Sequence, residues 1–199
     1  MSRGGEDVYS RFYNEMVKTK KIAPENYSLK FSTLDSEHQV MSVNGTWSEK
    51  NSIILPSGTY NVTGTSHPTT QSNCDSLYIV FDEAVQITSD MTKLMLKAKY
   101  DCDLLLFSTE NITKVEATQA NTTSLFNLPK TNEVFYLFVN YIPYSSISNN
   151  RVLDIFITKN DGNKIVINLS KLGLEKGKYY YFNDVTNTFD IDPMENGNE

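Results

Sequence analysis

The chain has 199 residues, of which 39% are hydrophobic and 12% aromatic, and it carries a formal net charge of −6. This length fits one domain or two small β subdomains, and the apolar content is enough to build a core. The mild acidity argues against nucleic acid as a partner, because the sequence has no stripe of lysine and arginine to neutralise phosphates. Lys18, Lys20 and Lys21 form the only basic cluster, which we interpret as a solvated helix end rather than a lipid or phosphate patch.

Membrane and export signals are missing from the sequence. It has no run of about 18 apolar residues, so we expect no transmembrane segment. The first residues, MSRGGEDVYSRFY, have no apolar signal core. The chain is therefore either made for the cytoplasm or a mature or trimmed form of an exported protein.

Residues 6–21 have helical periodicity and end at Ala23-Pro24, because a proline disfavours the helical conformation of the residue before it. The apolar stripe of this segment consists of Val8, Tyr9, Phe12, Tyr13, Met16 and Val17. Its four-residue repeat, Val8, Phe12 and Met16, forms a predicted docking surface. The helix could dock on its own β domain or on a partner, or it could be a membrane-proximal stalk.

From Tyr27 onward apolar and polar residues alternate, which is the period of a β-strand. The apolar segments lie at 29–33, 40–43, 52–55, 59–63, 77–81, 85–87, 94–99, 104–107, 112–117, 134–139, 153–157, 165–167, 179–182 and 188–191. Turns are predicted at Asn44-Gly45, Pro56-Ser57-Gly58, Asp161-Gly162 and Glu175–Lys178, and loops at 66–73, 120–124 and 143–150. Many short strands with frequent turns indicate an all-β sandwich or barrel.

The domain boundaries follow from this change of period. We expect a helix or stalk at 1–24, one β-sandwich domain at 25–193 and a flexible tail at 194–199. Residues 151–182 contain three predicted strands joined by two turns. In the last of them, Tyr179 and Tyr181 share one face, and Tyr180 and Phe182 share the other. We expect one of these two faces to be exposed or covered by the helix. Such a concentration of tyrosine also suits protein or carbohydrate recognition.

The two cysteines, Cys74 and Cys102, form neither a zinc site nor a C-x-x-C redox pair. They are either a disulfide, which would stabilise the fold by a few kcal/mol, or two buried or edge thiols.

Other chemistry-bearing residues are sparse. His38 and His67 both lie in polar, turn-like surroundings and have no evident catalytic partner. Asp82-Glu83 and the pair Asp101 and Asp103 could be glycosidase carboxylates or calcium ligands, but we interpret them as charges that protect strand edges from pairing. We therefore predict a non-enzymatic protein with no catalytic residue, cofactor or metal.

Two stretches carry distinctive patterns: residues 54–63, ILPSGTYNVT, contain the pattern LP-x-G-x-Y-x-V, and residues 161–180 contain a G-K-x-Y turn. The first resembles a strand, and the second a hairpin, of the fimbrillin-like and Mfa-like cell-surface lipoproteins of Bacteroidetes. The resemblance covers about a sixth of the chain and implies a transthyretin-like or Greek-key β-sandwich on the outer membrane or in a fimbrium. The chain lacks the family's lipobox cysteine and is shorter than a two-domain fimbrillin.

The sequence thus predicts a non-enzymatic cell-surface β-sandwich with a short N-terminal helix, acting in cell adhesion or fimbria-like assembly. The expected partners are a protein or glycan at the cell surface and other copies of the chain, with a lipid anchor in the precursor left open. Two alternatives remain: a structural component of a virion or similar assembly made in the cytoplasm, and a carbohydrate-binding module.

Overall fold

The computed structural model describes residues 4–19, 26–33, 39–46, 52–66, 77–119, 125–140 and 152–194. One α-helix, α1, spans Gly4–Phe12 and continues as a π-helical turn over Tyr13–Val17. The strands are β1 (Asn26–Thr33), β2 (Gln39–Thr46), β3 (Gly58–Thr65), β4 (Ile79–Ile87), β5 (Lys99–Tyr100), β6 (Cys102–Ser108), β7 (Ile112–Gln119), β8 (Leu125–Asn127), β9 (Val134–Asn140), β10 (Val152–Lys159), β11 (Lys164–Asn168), β12 (Lys178–Asn183) and β13 (Thr188–Pro193). The prediction of an all-β domain with a short N-terminal helix is confirmed.

The described strands form three sheets. Sheet I has the order β2-β1-β3-β4-β5, sheet II the order β13-β12-β6-β9, and sheet III the order β11-β10-β7-β8. Neighbouring strands are antiparallel, except that β12 runs parallel to β6. The chain crosses repeatedly between sheets II and III, since β7, β8, β10 and β11 lie in one and β6, β9 and β12 in the other. Such crossings are typical of Greek-key sandwiches.

Sheet II is the middle layer of the domain, because its two faces belong to two different cores. Leu104 and Leu106 on β6 pack into a cluster with apolar residues of sheet I and α1. Leu105 and Phe107, which point to the opposite face, pack into a second cluster with residues of sheet III. The continuous apolar run 104–107 is explained by this position, since a strand covered on both faces needs no polar side.

The hairpin between β10 and β11 forms as predicted. Gly162 has a φ of +85°, a conformation that glycine adopts without steric cost. The Asp161 carboxylate accepts a hydrogen bond of 2.9 Å from the Asn163 amide, which closes the turn. Ile155 and Ile157 are buried in the second core, in agreement with the predicted alternation.

Three sequence predictions in the N-terminal half are wrong. Asn44-Gly45 is not a turn: both residues lie inside β2, opposite Ser28 and Tyr27 of β1. The segments 77–81 and 85–87 are not two strands: residues 79–81 and 85–87 belong to one strand, β4, which begins at Ile79. The segment 94–98 is not in a strand, although Leu94, Leu96 and Ala98 pack against the first core. The alternation in this segment therefore reflects which side chains pack against the core. It does not indicate hydrogen bonding to a neighbouring strand.

The C-terminal end has one feature that the sequence did not predict and one that differs from expectation. Strand β12 lies between β13 and β6 in the middle sheet, a pairing that the sequence did not indicate. Met194, which we expected to begin the tail, is buried in the first core, and its amide donates a 2.7 Å hydrogen bond to the Gly177 carbonyl. Residues 195–199 lie outside the described residues, as do residues 67–73 of the predicted loop 66–73 and the predicted loops 120–124 and 143–150.

Candidate binding surface

The apolar stripe of α1 lies against the middle sheet. Phe12 is 3% exposed, and its ring lies 5.2 Å from that of Tyr136 and 6.5 Å from that of Phe138. Val8 and Met16 are partly buried against the same core. Phe12 therefore contacts β9, and Val8 and Met16 pack against the core cluster that includes it. Docking of the helix on its own domain rather than on a partner stays a prediction that deletion of the helix can test.

Tyr9 extends this contact to β12. Its ring stacks on the ring of Tyr179, with centroids 4.1 Å apart and an interplanar angle of 3°. The expectation that one face of the tyrosine strand is exposed or covered by the helix is thus confirmed at Tyr179. Beside this stack, burial raises the pKa of Tyr100, and the hydrogen bond between Tyr100 and Tyr13 contributes to the same shift.

Cys102 is fully buried at the start of β6, and its thiol donates to the Tyr78 carbonyl, with sulfur and oxygen 3.6 Å apart. Burial raises the pKa of this thiol to about 12, which disfavours the reactive thiolate. Cys74 lies outside the described residues. The disulfide between the two cysteines stays a prediction.

The carboxylates Asp101 and Asp103 do not protect an edge. Asp103 is fully buried on β6, the strand between β12 and β9, and Asp101 is 6% exposed just before it. Lys176 pairs with Asp101 at 2.5 Å. The interpretation as edge charges is wrong for these two residues, because β6 is a central strand. The hydrophobic pattern of the sequence did not show that β6 has a neighbour on each side.

Of the other candidates for chemistry, the structure describes Asp82 and Glu83. Asp82 is exposed on β4, and the Glu83 carboxylate accepts a 2.5 Å hydrogen bond from the Lys97 amide. His38 and His67 lie outside the described residues. Within the part of the chain that the structure describes, no group of three or more histidine, cysteine or acidic side chains is placed to hold a metal ion.

The outer face of sheet III is a surface that the sequence reasoning missed. Its centre is Phe156 on β10, which lies opposite Val166 of β11 on one side and Glu116 of β7 on the other. Asn127 of β8 completes the row next to Glu116. Ile155 and Ile157 point into the core, so Phe156 points away from it and remains partly exposed.

Polar side chains flank Phe156 and are held by hydrogen bonds. The Asn168 amide nitrogen donates to Asp154 Oδ1 at 2.8 Å, and Asn168 Oδ1 accepts from the Ser170 amide at 3.1 Å. Lys114 pairs with Glu116 at 2.6 Å on the other side of the ring. The signal for this face was present in the sequence: an aromatic residue stands at a polar position of the alternating strand 153–157.

Comparison with known proteins gives a likeness in structure and none in sequence. No protein-family model matches the chain, and no curated protein matches it significantly. A candidate cell adhesion protein of Bacteroides uniformis has a TM-score of 0.52 at 9% identity, over 87% of this chain and 93% of that one. A fimbrial assembly protein of Parabacteroides distasonis has a TM-score of 0.46 at 10% identity, over 87% and 93%. The tip fimbrial protein Mfa3 of Porphyromonas gingivalis, truncated at its C-terminus, also has 0.46, at 9% identity over 85% and 92%.

The resemblance drawn from two short stretches is confirmed at the level of the fold. The Bacteroides uniformis protein, with its TM-score of 0.52, carries this conclusion. Within the described residues, neither length nor apolarity qualifies any helix as a membrane span.

Proposed function

We propose that this chain is a non-enzymatic cell-surface protein that acts in adhesion or in fimbria-like assembly. The observation that carries the proposal is the shared fold with the candidate cell adhesion protein of Bacteroides uniformis, which extends over 87% of this chain. The two stretches that carry the sequence resemblance fall on structural positions of this fold. One leads into β3, and the other covers the turn between β10 and β11, β11 itself, the turn before β12 and the start of β12.

The layered architecture suits such a role. Sheet II is buried on both faces, so recognition falls to the outer faces of sheets I and III and to the sheet edges. A rigid sandwich can present these surfaces without losing much conformational entropy on binding. Edge strands such as β13 and β11 also offer backbone groups for pairing with another chain, which is a route to self-assembly.

The finer assignments belong to the same proposal. They place the protein on the outer membrane, with a protein or glycan as partner and with other copies of the chain in a fimbrium. They also divide the chain into a docked helix at 1–24, a sandwich at 25–193 and a tail at 194–199, with Met194 reassigned to the sandwich.

Labelling of intact cells tests the location. An antibody raised against the folded domain should bind unpermeabilised cells of the organism that encodes it, and external protease should remove the signal. An antibody against a cytoplasmic protein, which must bind only after permeabilisation, is the control. Labelling that requires permeabilisation would contradict the proposal and favour an assembly protein made in the cytoplasm.

A deletion strain tests the role. Loss of the gene should reduce attachment of the cells to a host or bacterial surface, or should shorten or remove surface filaments seen by electron microscopy. Complementation with the intact gene should restore the phenotype. A strain with unchanged attachment and unchanged filaments would count against both forms of the proposed function.

A further inference from the structure

We propose that the outer face of sheet III binds a neutral glycan, with Phe156 as the platform on which a sugar ring stacks. Asp154 and Asn168 supply the hydrogen-bonding groups for its hydroxyls. The inference rests on the proposed function in one respect, since it names the ligand class of an adhesion protein. The binding surface itself is argued from the residues of the sheet.

The position of Phe156 is the first argument. The ring lies on the solvent side of a central strand of the sheet, outside both cores, with Val166 beside it on β11. Val166 is 60% exposed, so two adjacent apolar side chains face water between the polar side chains of this face. A flat aromatic ring fixed on a rigid sheet offers apolar area to the C–H face of a sugar at little entropic cost.

The polar neighbours are the second argument, because they are held in place before any ligand arrives. The Asn168 carboxamide donates to Asp154 Oδ1 and accepts from the Ser170 amide, which fixes its plane. One carboxylate oxygen of Asp154 is engaged in this way, and Oδ2 remains as an acceptor for a hydroxyl. Aromatic area flanked by a few fixed polar groups is the usual composition of a small-molecule site.

The charge of the face selects a neutral ligand. Two cations, Lys114 and Lys164, stand against two anions, Glu116 and Asp154, so the formal charges cancel. Lys114 is moreover paired with Glu116 at 2.6 Å. A sulphated or sialylated glycan would find no excess of positive charge here, whereas the hydroxyls of a neutral sugar match carboxylate and amide groups.

The size of the face argues against a second copy of the chain as the occupant. Four strands spaced about 4.8 Å apart give a width of roughly 14 Å between the outer strand axes. A stable protein interface buries about 800 Å² per partner around an apolar centre, which is much more than Phe156, Val166 and Leu125 provide. A short oligosaccharide lies within these dimensions.

The test uses the full chain and begins with an array that carries neutral, sulphated and sialylated oligosaccharides. The strongest neutral ligand is then titrated by calorimetry against the wild type and two variants. Phe156→Ala should weaken binding by about tenfold or more, because it removes the stacking platform. Asp154→Ala should weaken binding by about tenfold, because it removes an acceptor for the ligand and also the carboxylate that holds the Asn168 carboxamide. Thr63→Ala, an exposed change on the outer face of sheet I, is the matched control and should bind within about twofold of wild type.

Two readouts keep the result independent of folding. Melting curves of all variants show whether they remain folded. Shifts of backbone amide signals on titration of the wild type should centre on β10 and β11, which needs no variant at all. Binding to neutral glycans with shifts in these strands supports the inference.

Each other outcome overturns it. Absence of binding across the array, binding only to sulphated or sialylated glycans, or shifts confined to another surface would each do so. So would a dimer, seen by light scattering, that Phe156→Ala dissociates. The proposed function fails separately: a protein found at the cell surface that binds no glycan defeats only this inference, and a glycan-binding protein found in the cytoplasm defeats only the surface role.

Discussion

Truncation of Phe12 tests whether α1 is part of the folded domain. The side chain is 3% exposed and contacts the rings of Tyr136 and Phe138 on β9. Phenylalanine-to-alanine changes in cores cost about 3–5 kcal/mol. The maximum loss of stability is smaller for Phe12→Ala. A terminal helix can detach from the domain, so that water fills the space and no empty cavity remains.

The upper limit of this loss in unfolding free energy follows from the side chains that the helix buries when it docks. Tyr9 and Phe12 are the buried side chains of the described helix, and each contributes about 1.5–3 kcal/mol by area. Ordering the segment costs conformational entropy that offsets part of this gain. We therefore expect Phe12→Ala to lower the free energy of unfolding by about 2–3 kcal/mol, which is about 4–12 °C in the melting temperature of a domain of this size.

The assay is thermal melting together with urea denaturation of the full chain. Ser10→Ala, at an exposed position of α1, is the control and should stay within about 0.5 kcal/mol of wild type. Deleting residues 1–24 should destabilise the protein at least as much as Phe12→Ala. If the deletion leaves stability unchanged but abolishes assembly, the helix docks on a partner. Unchanged stability together with an unchanged oligomeric state would refute docking altogether.

Two further results are expected. Gly64→Ala should prevent folding or cost more than about 3 kcal/mol of unfolding free energy, because the added Cβ would lie 2.1 Å from the Ser28 carbonyl oxygen. Gly58→Ala is the control and should be tolerated, because the nearest atom to its added Cβ is 3.8 Å away. Equal melting temperatures of the two variants would contradict this prediction. Cys102 should resist alkylation in the folded protein, and the free energy of unfolding should fall as the pH rises from about 9 to about 12, since burial raises the pKa of this thiol from 9.0 to about 12. Rapid labelling of Cys102 without denaturant would disprove its burial, and a bridge to Cys74 would appear in non-reducing mass spectrometry as the loss of two hydrogens.

The sequence by itself determined which segments are extended and which of their faces are buried. The alternation in 59–63 and 153–157 predicted β3 and β10 with the right residues inside, because the hydrophobic effect acts on each side chain and leaves its record in the order of residues. The four-residue repeat of Val8, Phe12 and Met16 predicted α1 for the same reason. The turn at Asp161-Gly162 was readable because its conformation is a local property of glycine.

Only the tertiary structure decided which strands are neighbours. Backbone hydrogen bonds are made by groups common to almost every residue, so the pattern of β12 does not say that it pairs with β6, which precedes it by more than seventy residues. The same limit explains two wrong predictions. At Asn44-Gly45, pairing with β1 outweighs the tendency of these residues to form a turn. At 94–98, the apolar and polar residues alternate, but the segment is not part of a sheet. The outer face of sheet III also depends on which strands pair. The register between β10 and β11 places Phe156 beside Val166 and Asp154 beside Asn168.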